Sequence, residues 1–298
     1  MNFDSLYYLI FQQLNVLGLL YSDTQRPKEA EASYQEALSI RRDLAKANPQ
    51  AYSSYVAAAL NNLGVLYKDT QRFKEGEASH QEALTIRREL AKINPQAYLP
   101  DVADTLNNLG MLYADTQRFK EGGASYQEAL SISRELAKTN PQAYLPNVAR
   151  TLNNLGVLYS NTQRFKKGEA SYKEALAIYR DLAKANPQAY SPDVAMTLNN
   201  LGILYRDTQR FKEVETRFQK DLLLMFPDLN KKTEAYLYSE ETISLFRELW
   251  QAHPELYAKQ FYASLFVNAF ILPQEEIEKW CALLKEAWQV APSVELAI

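Results

Sequence analysis

Residues 60–105 read LNNLGVLYKDTQRFKEGEASHQEALTIRRELAKINPQAYLPDVADT, and this stretch decides the fold because the chain repeats it. Near-copies recur every 46 residues, beginning at Leu14, Leu60, Leu106, Leu152 and Leu198. The first copy begins LNVLGLLY, and the fifth diverges after Phe211. Self-similarity at such a period is typical of repeat proteins, in which neighbouring units stack to bury one continuous core.

Each copy predicts two helices. In the third copy, apolar residues recur three or four positions apart from Val102 to Tyr113, which predicts a first helix over residues 102–113. Pro100 then lies near its start, where a missing N–H costs little. A second helix is predicted over residues 119–138, because Asn140 precedes a proline and so avoids the helical region.

Glycines recur at fixed positions inside both helices. One set lies in the first helices, at Gly18, Gly64, Gly110, Gly156 and Gly202, and the other in the second helices, at Gly76, Gly122 and Gly168. Glycine inside a helix costs about 1 kcal/mol relative to alanine. We therefore expect a compensating gain, most simply close approach of the two helices of a pair.

These positions resemble the tetratricopeptide repeat pattern of Leu-Gly, then Tyr, then a small residue, an aromatic residue and Ala. Copy two supplies them as Leu63, Gly64, Tyr67, Gly76, His80 and Ala83, so His80 takes the aromatic position. The phrases VAxTLNNLGxLY and EAL-x-IRREL look like the longer repeats of kinesin light chains. The resemblance implies an all-α, right-handed α-solenoid of antiparallel helix pairs with a 46-residue period.

The two ends of the chain differ from the repeats. We expect five repeats over residues 1–226 and degenerate, capping helices over residues 227–298, which contain no glycine and hold Trp250, Trp280 and Trp288. Apolar residues crowd the first helix from Leu6 to Phe11. Either end could therefore join a second copy, a partner or a larger complex.

Composition excludes several classes of function. The net charge is −3, with 33 basic and 36 acidic residues, which disfavours a nucleic-acid surface. No apolar run is long enough to span a membrane, and the apolar start lacks a basic leader, so we expect a cytoplasmic protein without membrane contact. Two histidines and one cysteine are too few for a convincing metal site, and all nine glycines fit helical positions rather than a phosphate loop.

We therefore predict a protein that is not an enzyme and binds no cofactor. Repeated acids beside Arg41-Arg42 and Arg87-Arg88 are interpreted as solvated helix faces. The most favoured function is a non-catalytic scaffold or adaptor that binds a protein or peptide. A regulatory subunit of a larger effector assembly and a self-assembling structural subunit remain alternatives.

The resemblance implies that the first helices line a concave groove. It places paired asparagines there, at Asn61-Asn62, Asn107-Asn108, Asn153-Asn154 and Asn199-Asn200. An amide both donates and accepts, so this ladder could bind the backbone of an extended peptide. The alternative is that the amides make contacts between repeats.

Specificity is expected where the copies differ. One variable position holds Asp104 and Arg150, another holds Lys68 and Arg206, and Met111 supplies an apolar contact. The chaperone-tail clamp of some relatives uses a lysine just before the groove asparagine, where this chain has a second asparagine. We therefore expect an extended or helical protein segment as the ligand, rather than a bare C-terminal carboxylate.

Overall fold

The structure of the protein is a computed structural model that describes residues 3–208, with side chains described for residues 10–205 and 208. These residues form nine α-helices of 21 residues each and no strand. The helices are α1 (Phe3–Asp23), α2 (Pro27–Ala47), α3 (Pro49–Asp69), α4 (Phe73–Ile93), α5 (Pro95–Asp115), α6 (Phe119–Thr139), α7 (Pro141–Asn161), α8 (Phe165–Ala185) and α9 (Pro187–Asp207). The predicted all-α repeat solenoid is confirmed.

The chain divides into two compact units, Met1–Asn154 and Leu155–Ile298. In the first unit, consecutive helices from α1 to α6 pack against one another in order. In the second unit, α8 packs against α9. The region predicted to cap the solenoid, residues 227–298, lies outside the described residues, as does the second helix of the fifth copy.

Long helices with minimal connections account for the 46-residue period. A three-residue turn follows each of the first helices α1, α3, α5 and α7, and a single asparagine follows each of the second helices α2, α4, α6 and α8. Asn94 ends α4 through its backbone N–H, which donates to Leu90 O at 3.0 Å, and its side-chain Oδ1 caps α5 by accepting from Ala97 N at 3.2 Å. Pro95 follows at the first helical position, where proline needs no hydrogen-bond partner.

The predicted start of the first helices was wrong. Helix α5 begins at Pro95 and not near Val102, so Pro100 lies inside the helix. Residues 94–97 are exposed, and their turn therefore carries no apolar periodicity that could reveal a helix. The asparagine cap and Pro95 at the first position supply the start signal instead.

The turn within each helix pair depends on a glutamine in the left-handed region. Gln71 has φ 59°, and its equivalents Gln25, Gln117 and Gln163 have values of 56–59°. Around it, Arg72 N donates to Tyr67 O at 2.7 Å and Gln71 N donates to Lys68 O at 3.0 Å. These two bonds satisfy carbonyls at the end of the first helix, as helix-terminating turns of this kind do.

The expected role of the glycines is confirmed. A Cβ added at Gly110 would lie 2.5 Å from the Tyr126 ring, and one at Gly64 would lie 2.6 Å from the His80 ring. At Gly18, Gly64, Gly110 and Gly156 the first helix therefore approaches the aromatic residue of its second helix so closely that a side chain would clash, whereas a Cβ at Gly202 would meet nothing within 4 Å among the described residues. His80 takes this aromatic position, as predicted, and is fully buried there.

Candidate protein-binding face

Within the first unit, the predicted binding residues of α5 lie on one side of that helix. In α5, Asp104, Asn107, Asn108 and Met111 are three, four and seven positions apart, a spacing that places them on a common helix face. Repetition places Asn61 and Asn62 at the equivalent positions of α3. We call this surface, together with its equivalents in the other first helices of the first unit, the amide face.

Within the first unit, the paired asparagines form a hydrogen-bonded ladder between repeats. The second asparagine of each pair donates Nδ2 to Oδ1 of the first asparagine of the preceding repeat. The bonds run from Asn62 to Asn15 at 3.0 Å, from Asn108 to Asn61 at 3.1 Å and from Asn154 to Asn107 at 3.2 Å. The alternative that the amides make contacts between repeats is thus realised, while their binding of a ligand stays a prediction.

The ladder uses only part of each amide. One N–H of Asn62, Asn108 and Asn154 is occupied, and the described residues offer no further partner to the carbonyl oxygens of these three side chains. All three are partly exposed. An amide can make up to four hydrogen bonds, so each retains capacity for a ligand.

Two of the four first asparagines are less accessible than the second asparagines. Asn107 and Asn153 are only 2% and 4% exposed, whereas Asn61 and Asn199 are partly exposed. Asn199 Oδ1 is buried and accepts no hydrogen bond from the described residues. Asn200 is partly exposed. Direct contact with a ligand is therefore more hindered at Asn107 and Asn153 than at Asn108 and Asn154.

The charged candidates of the first unit all take part in ion pairs. Arg150 forms an ion pair with Asp104, and Asn147 Nδ2 lies 3.4 Å from Asp104 Oδ1. Lys68 Nζ lies 2.8 Å from Asp69 Oδ1 and 3.9 Å from Asp115 Oδ2. Met111 is partly exposed. The side chain of Arg206 lies outside those described.

The opposite side of the repeats carries contacts that the sequence interpretation missed. Tyr67 Oη donates to Glu31 Oε1 at 3.1 Å, and Arg72 Nη1 binds Glu31 Oε2 at 2.6 Å while its guanidinium lies 4.3 Å from the centre of the Tyr67 ring. Tyr113, Arg118 and Glu77 repeat this arrangement at 3.0 and 2.7 Å. The separations of 36 and 41 residues, constant in both repeats, are the signal that could have revealed it.

The repeated acids beside the two arginine pairs are exposed, but the solvated face does not extend to the first arginine of each pair. Arg41 and Arg87 are 2% and 7% exposed. Arg41 Nη1 donates to Tyr55 O at 3.1 Å, and burial lowers the pKa of its guanidinium to about 10. Only Arg42 and Arg88 face solvent, where they pair with Glu82 and Glu128 of the next second helix. Helical periodicity separates adjacent residues onto different faces.

Other kinds of site find little support in the part of the chain that is described. No three His, Cys, Asp or Glu side chains there are grouped as metal ligands would be. None of the described helices combines the length and hydropathy of a membrane span. His80, the one described histidine, is enclosed beside Gly64, and burial lowers its pKa to about 4.

Two family models agree with the repeat boundaries. Both are described as tetratricopeptide repeat models, one matching residues 12–50 and 56–96 and the other residues 101–181 and 147–220. Together they cover more than half of the chain. No curated protein matches the chain significantly in sequence.

Several solved structures share the fold at low sequence identity. BtubC (BKLC) from P. vanneervenii has a TM-score of 0.66 and 20% identity, covering 90% of this chain and 91% of its own. The apo form of RapI has a TM-score of 0.65 and 14% identity, covering 96% and 83%. A putative kinesin light chain of Podosopora anserina with nearly identical TPR-like repeats has a TM-score of 0.52 and 14% identity, covering 80% and 95%.

These likenesses establish the fold rather than a ligand, because fold alone does not fix function. Tetratricopeptide solenoids are generally non-catalytic, and the repeats of this chain fit a protein-interaction scaffold. The spacing of Leu63, Gly64 and Tyr67, the buried aromatic position of the second helix and the family models all agree. The chain belongs to the tetratricopeptide repeat family.

Proposed function

We propose that the protein is a non-catalytic scaffold or adaptor that binds an extended or helical segment of another protein along the amide face. The observation that carries the proposal is the set of amides on Asn62, Asn108 and Asn154. Each lies on a partly exposed side chain, is oriented by one hydrogen bond to the preceding repeat, and has a carbonyl oxygen with no partner among the described residues. Groups fixed before binding lose little conformational entropy when a ligand arrives.

An apolar residue accompanies each amide. In the first unit this position holds Leu19, Val65 and Met111, all partly or largely exposed. In the second unit the same repeat position holds Val157, 37% exposed, and Ile203. Apolar contacts beside backbone-directed amides would let a segment bind through its backbone and through alternate side chains, as peptide-binding grooves do.

The charges on this face favour a protein segment of mixed sequence. The Asp104–Arg150 ion pair and the Lys68–Asp115 pair place both signs of charge within the first unit. A bare acidic C-terminus would need a cluster of unpaired cations, whereas Lys68 already lies beside two carboxylates. The near balance of 33 basic and 36 acidic residues likewise favours a protein over nucleic acid as the ligand of a cytoplasmic scaffold.

A displayed library of random 16-residue peptides supplies a direct test. Peptides selected on the wild-type chain are assayed against a double variant, Val65→Glu and Met111→Glu, which places two carboxylates on the amide face without removing any ladder asparagine. We expect the Kd to rise about tenfold or more, since an unpaired charge buried under a ligand costs at least 1.4 kcal/mol.

The matched control adds the same two charges elsewhere. Thr85 and Ser131 are exposed, occupy the same position of successive second helices and lie one period apart. Thr85→Glu with Ser131→Glu should leave the Kd unchanged. Equal loss in both double variants, or selection of short acidic C-terminal sequences by the wild type, would contradict the proposal.

A further inference from the structure

The first helix presents an apolar face that later first helices bury. Leu17 and Leu20 of α1 are 38% and 53% exposed, whereas their equivalents in α3, Leu63 and Leu66, are 2% and 4% exposed. Ile10 is 38% exposed, and its α3 equivalent Val56 is 4% exposed. The equivalent residues of α1 and α3 are all aliphatic, so their different exposure depends on which neighbouring helix covers them.

The second helix of the preceding repeat covers the α3 face. Residues Tyr34 and Leu38 of α2 share one core cluster with Val56, Leu63 and Leu66 of α3. Helix α2 packs against both α1 and α3. A first helix of this type is therefore built to receive an amphipathic helix, and within the described residues none precedes α1.

Polar groups beside the apolar face indicate what such a helix must carry. In the covered repeat, Glu31 of α2 accepts from Tyr67 Oη at 3.1 Å and from Arg72 Nη1 at 2.6 Å, and Gln35 Nε2 donates to Tyr67 Oη at 3.1 Å. These contacts place Glu31, Gln35 and Leu38 of α2 at positions i, i+4 and i+7 against α3 and the turn that follows it.

The first repeat has the tyrosine and the arginine of this arrangement, but not the carboxylate from a preceding helix. Arg26 lies 4.4 Å from the centre of the Tyr21 ring, as Arg72 lies 4.3 Å from that of Tyr67. Arg72 binds two carboxylates, Glu75 and Glu31, while the only carboxylate that binds Arg26 within the described residues is Glu29. The side chain of Arg26 is 52% exposed. A carboxylate on an incoming helix would complete the cluster.

One substitution argues against a further complete repeat as the occupant. The ladder donor of later repeats, Asn62 or Asn108, would bind an asparagine on the first helix of a preceding repeat. Copy one has Val16 there, 56% exposed, which can donate nothing. The α1 face therefore keeps the apolar residues, Tyr21 and Arg26, which the second helix of a preceding repeat would contact. At position 16 it lacks the asparagine that would bind the first helix of a preceding repeat.

We propose that the α1 face, formed by Ile10, Leu17, Leu20, Tyr21 and Arg26, docks a single amphipathic helix of another polypeptide. That helix carries a carboxylate at i, an amide at i+4 and a leucine or similar residue at i+7. A second copy of the chain is disfavoured, because Glu31, Glu77 and Glu169, the described acids at this position of the second helices, already bind tyrosines of their own chain.

A peptide with the sequence of residues 27–47 serves as the probe, because α2 covers the equivalent face of α3. It is stapled between positions 32 and 36, which are exposed in α2, since an isolated helix of this length is marginal in water. Binding to the full chain is measured by fluorescence anisotropy. We expect Leu20→Glu to weaken binding about tenfold or more, and Thr85→Glu to leave it unchanged.

Exchanging the charges of Arg26 and of the peptide's Glu31 tests the predicted ion pair between the α1 face and the incoming helix. Arg26→Glu should weaken binding about threefold to fivefold, the upper range for an exposed ion pair, and a peptide carrying Glu31→Lys should recover that loss only with Arg26→Glu. Circular dichroism establishes that each variant is folded. Absence of saturable binding, or binding unaffected by both Leu20→Glu and Arg26→Glu, would overturn the proposal.

Light scattering of the chain alone tests whether a second copy of the chain, rather than another polypeptide, covers the α1 face. A dimer or larger oligomer that Leu20→Glu converts to a monomer would make a second copy the occupant and overturn the assignment to another polypeptide. The peptides selected on the amide face report separately on the proposed function, because Val65→Glu and Met111→Glu do not touch the α1 face.

Discussion

Asn108 donates Nδ2 to Oδ1 of Asn61 at 3.1 Å, and the two residues are 47 positions apart, one more than the repeat period. The second asparagine of one repeat therefore meets the first asparagine of the preceding repeat. Equivalent residues of successive repeats lie 46 positions apart. Because each repeat has two adjacent asparagines, the first asparagine of one repeat and the second of the next are 47 positions apart, and both ends of the bond are amides. The Asn-Asn sequence thus has a structural reason within the first unit, in addition to the proposed role in binding.

The ladder bonds should contribute unequally to stability. Asn154→Ala leaves Oδ1 of the 2% exposed Asn107 without its donor, which costs about 1–3 kcal/mol of the free energy of unfolding. Asn108→Ala exposes Oδ1 of the partly exposed Asn61 to water and should cost about 1 kcal/mol or less. Urea unfolding of both variants measures the difference, and equal costs would contradict the burial argument.

Close packing at the glycine that the copies share in their first helices predicts a strong effect of one added methyl group. Gly110→Ala places Cβ 2.5 Å from the Tyr126 ring, so the pair of helices must separate at a cost of about 1–3 kcal/mol. In a Tyr126→Leu background the same substitution should cost less, because the ring is gone. A double-mutant cycle from urea unfolding gives the coupling, and additive effects would show that the ring is not what excludes Cβ.

Burial of His80 predicts a dependence of stability on pH. Burial, with Arg87 and Lys68 nearby, lowers the pKa of His80 from 6.5 to about 4. Below pH 6.5 the unfolded chain binds a proton that the folded chain refuses, so stability falls as pH decreases toward 4. From these values the loss between pH 7 and pH 5 is about 2 kcal/mol.

His80→Tyr supplies the comparison, because tyrosine occupies this position as Tyr34, Tyr126 and Tyr172 in other repeats. The variant should lose about 2 kcal/mol less than the wild type between pH 7 and pH 5, measured by urea unfolding at both values. His253 is present in both proteins and cancels in the difference. Parallel pH profiles would show that His80 is not the responsible group.

The left-handed turn residue offers a route to higher stability. Gln71 is exposed with φ 59°, a conformation that costs a residue with a side chain about 1 kcal/mol relative to glycine. Gln71→Gly should therefore raise the free energy of unfolding by up to about 1 kcal/mol, while Gln71→Val should lower it. Thermal and urea unfolding test both directions, and a destabilising Gln71→Gly would indicate that the glutamine side chain makes a compensating contact.

The sequence predicted the features that depend on residue type at a fixed repeat position. The 46-residue period, the helix pairs, the aromatic position of His80 and the packing role of the glycines follow from repetition alone. The start of α5 at Pro95 was not predicted, because the first turn of the helix is exposed and carries no apolar pattern. Capping by Asn94 was the available signal.

Contacts between repeats were harder to predict, because they depend on the stagger of one repeat against the next. Asp104 and Arg150 were both identified as variable positions, but their pairing requires the neighbouring first helices to align one period apart. The burial of Arg87 beside the exposed Arg88 likewise depends on how far α4 is rotated against α5. Composition cannot supply such rotations, although constant separations along the chain, such as 41 residues for Arg72–Glu31 and Arg118–Glu77, reveal them.

The proposal that the amide face binds a protein segment is tested most directly by site-specific crosslinking. A photoreactive p-benzoylphenylalanine replaces Met111 on the amide face or Thr85 on an exposed second helix, and each variant is irradiated with a peptide selected on the wild-type chain. The account predicts a covalent adduct from position 111 and none from position 85. An adduct from position 85 alone would contradict it and place recognition on the second helices.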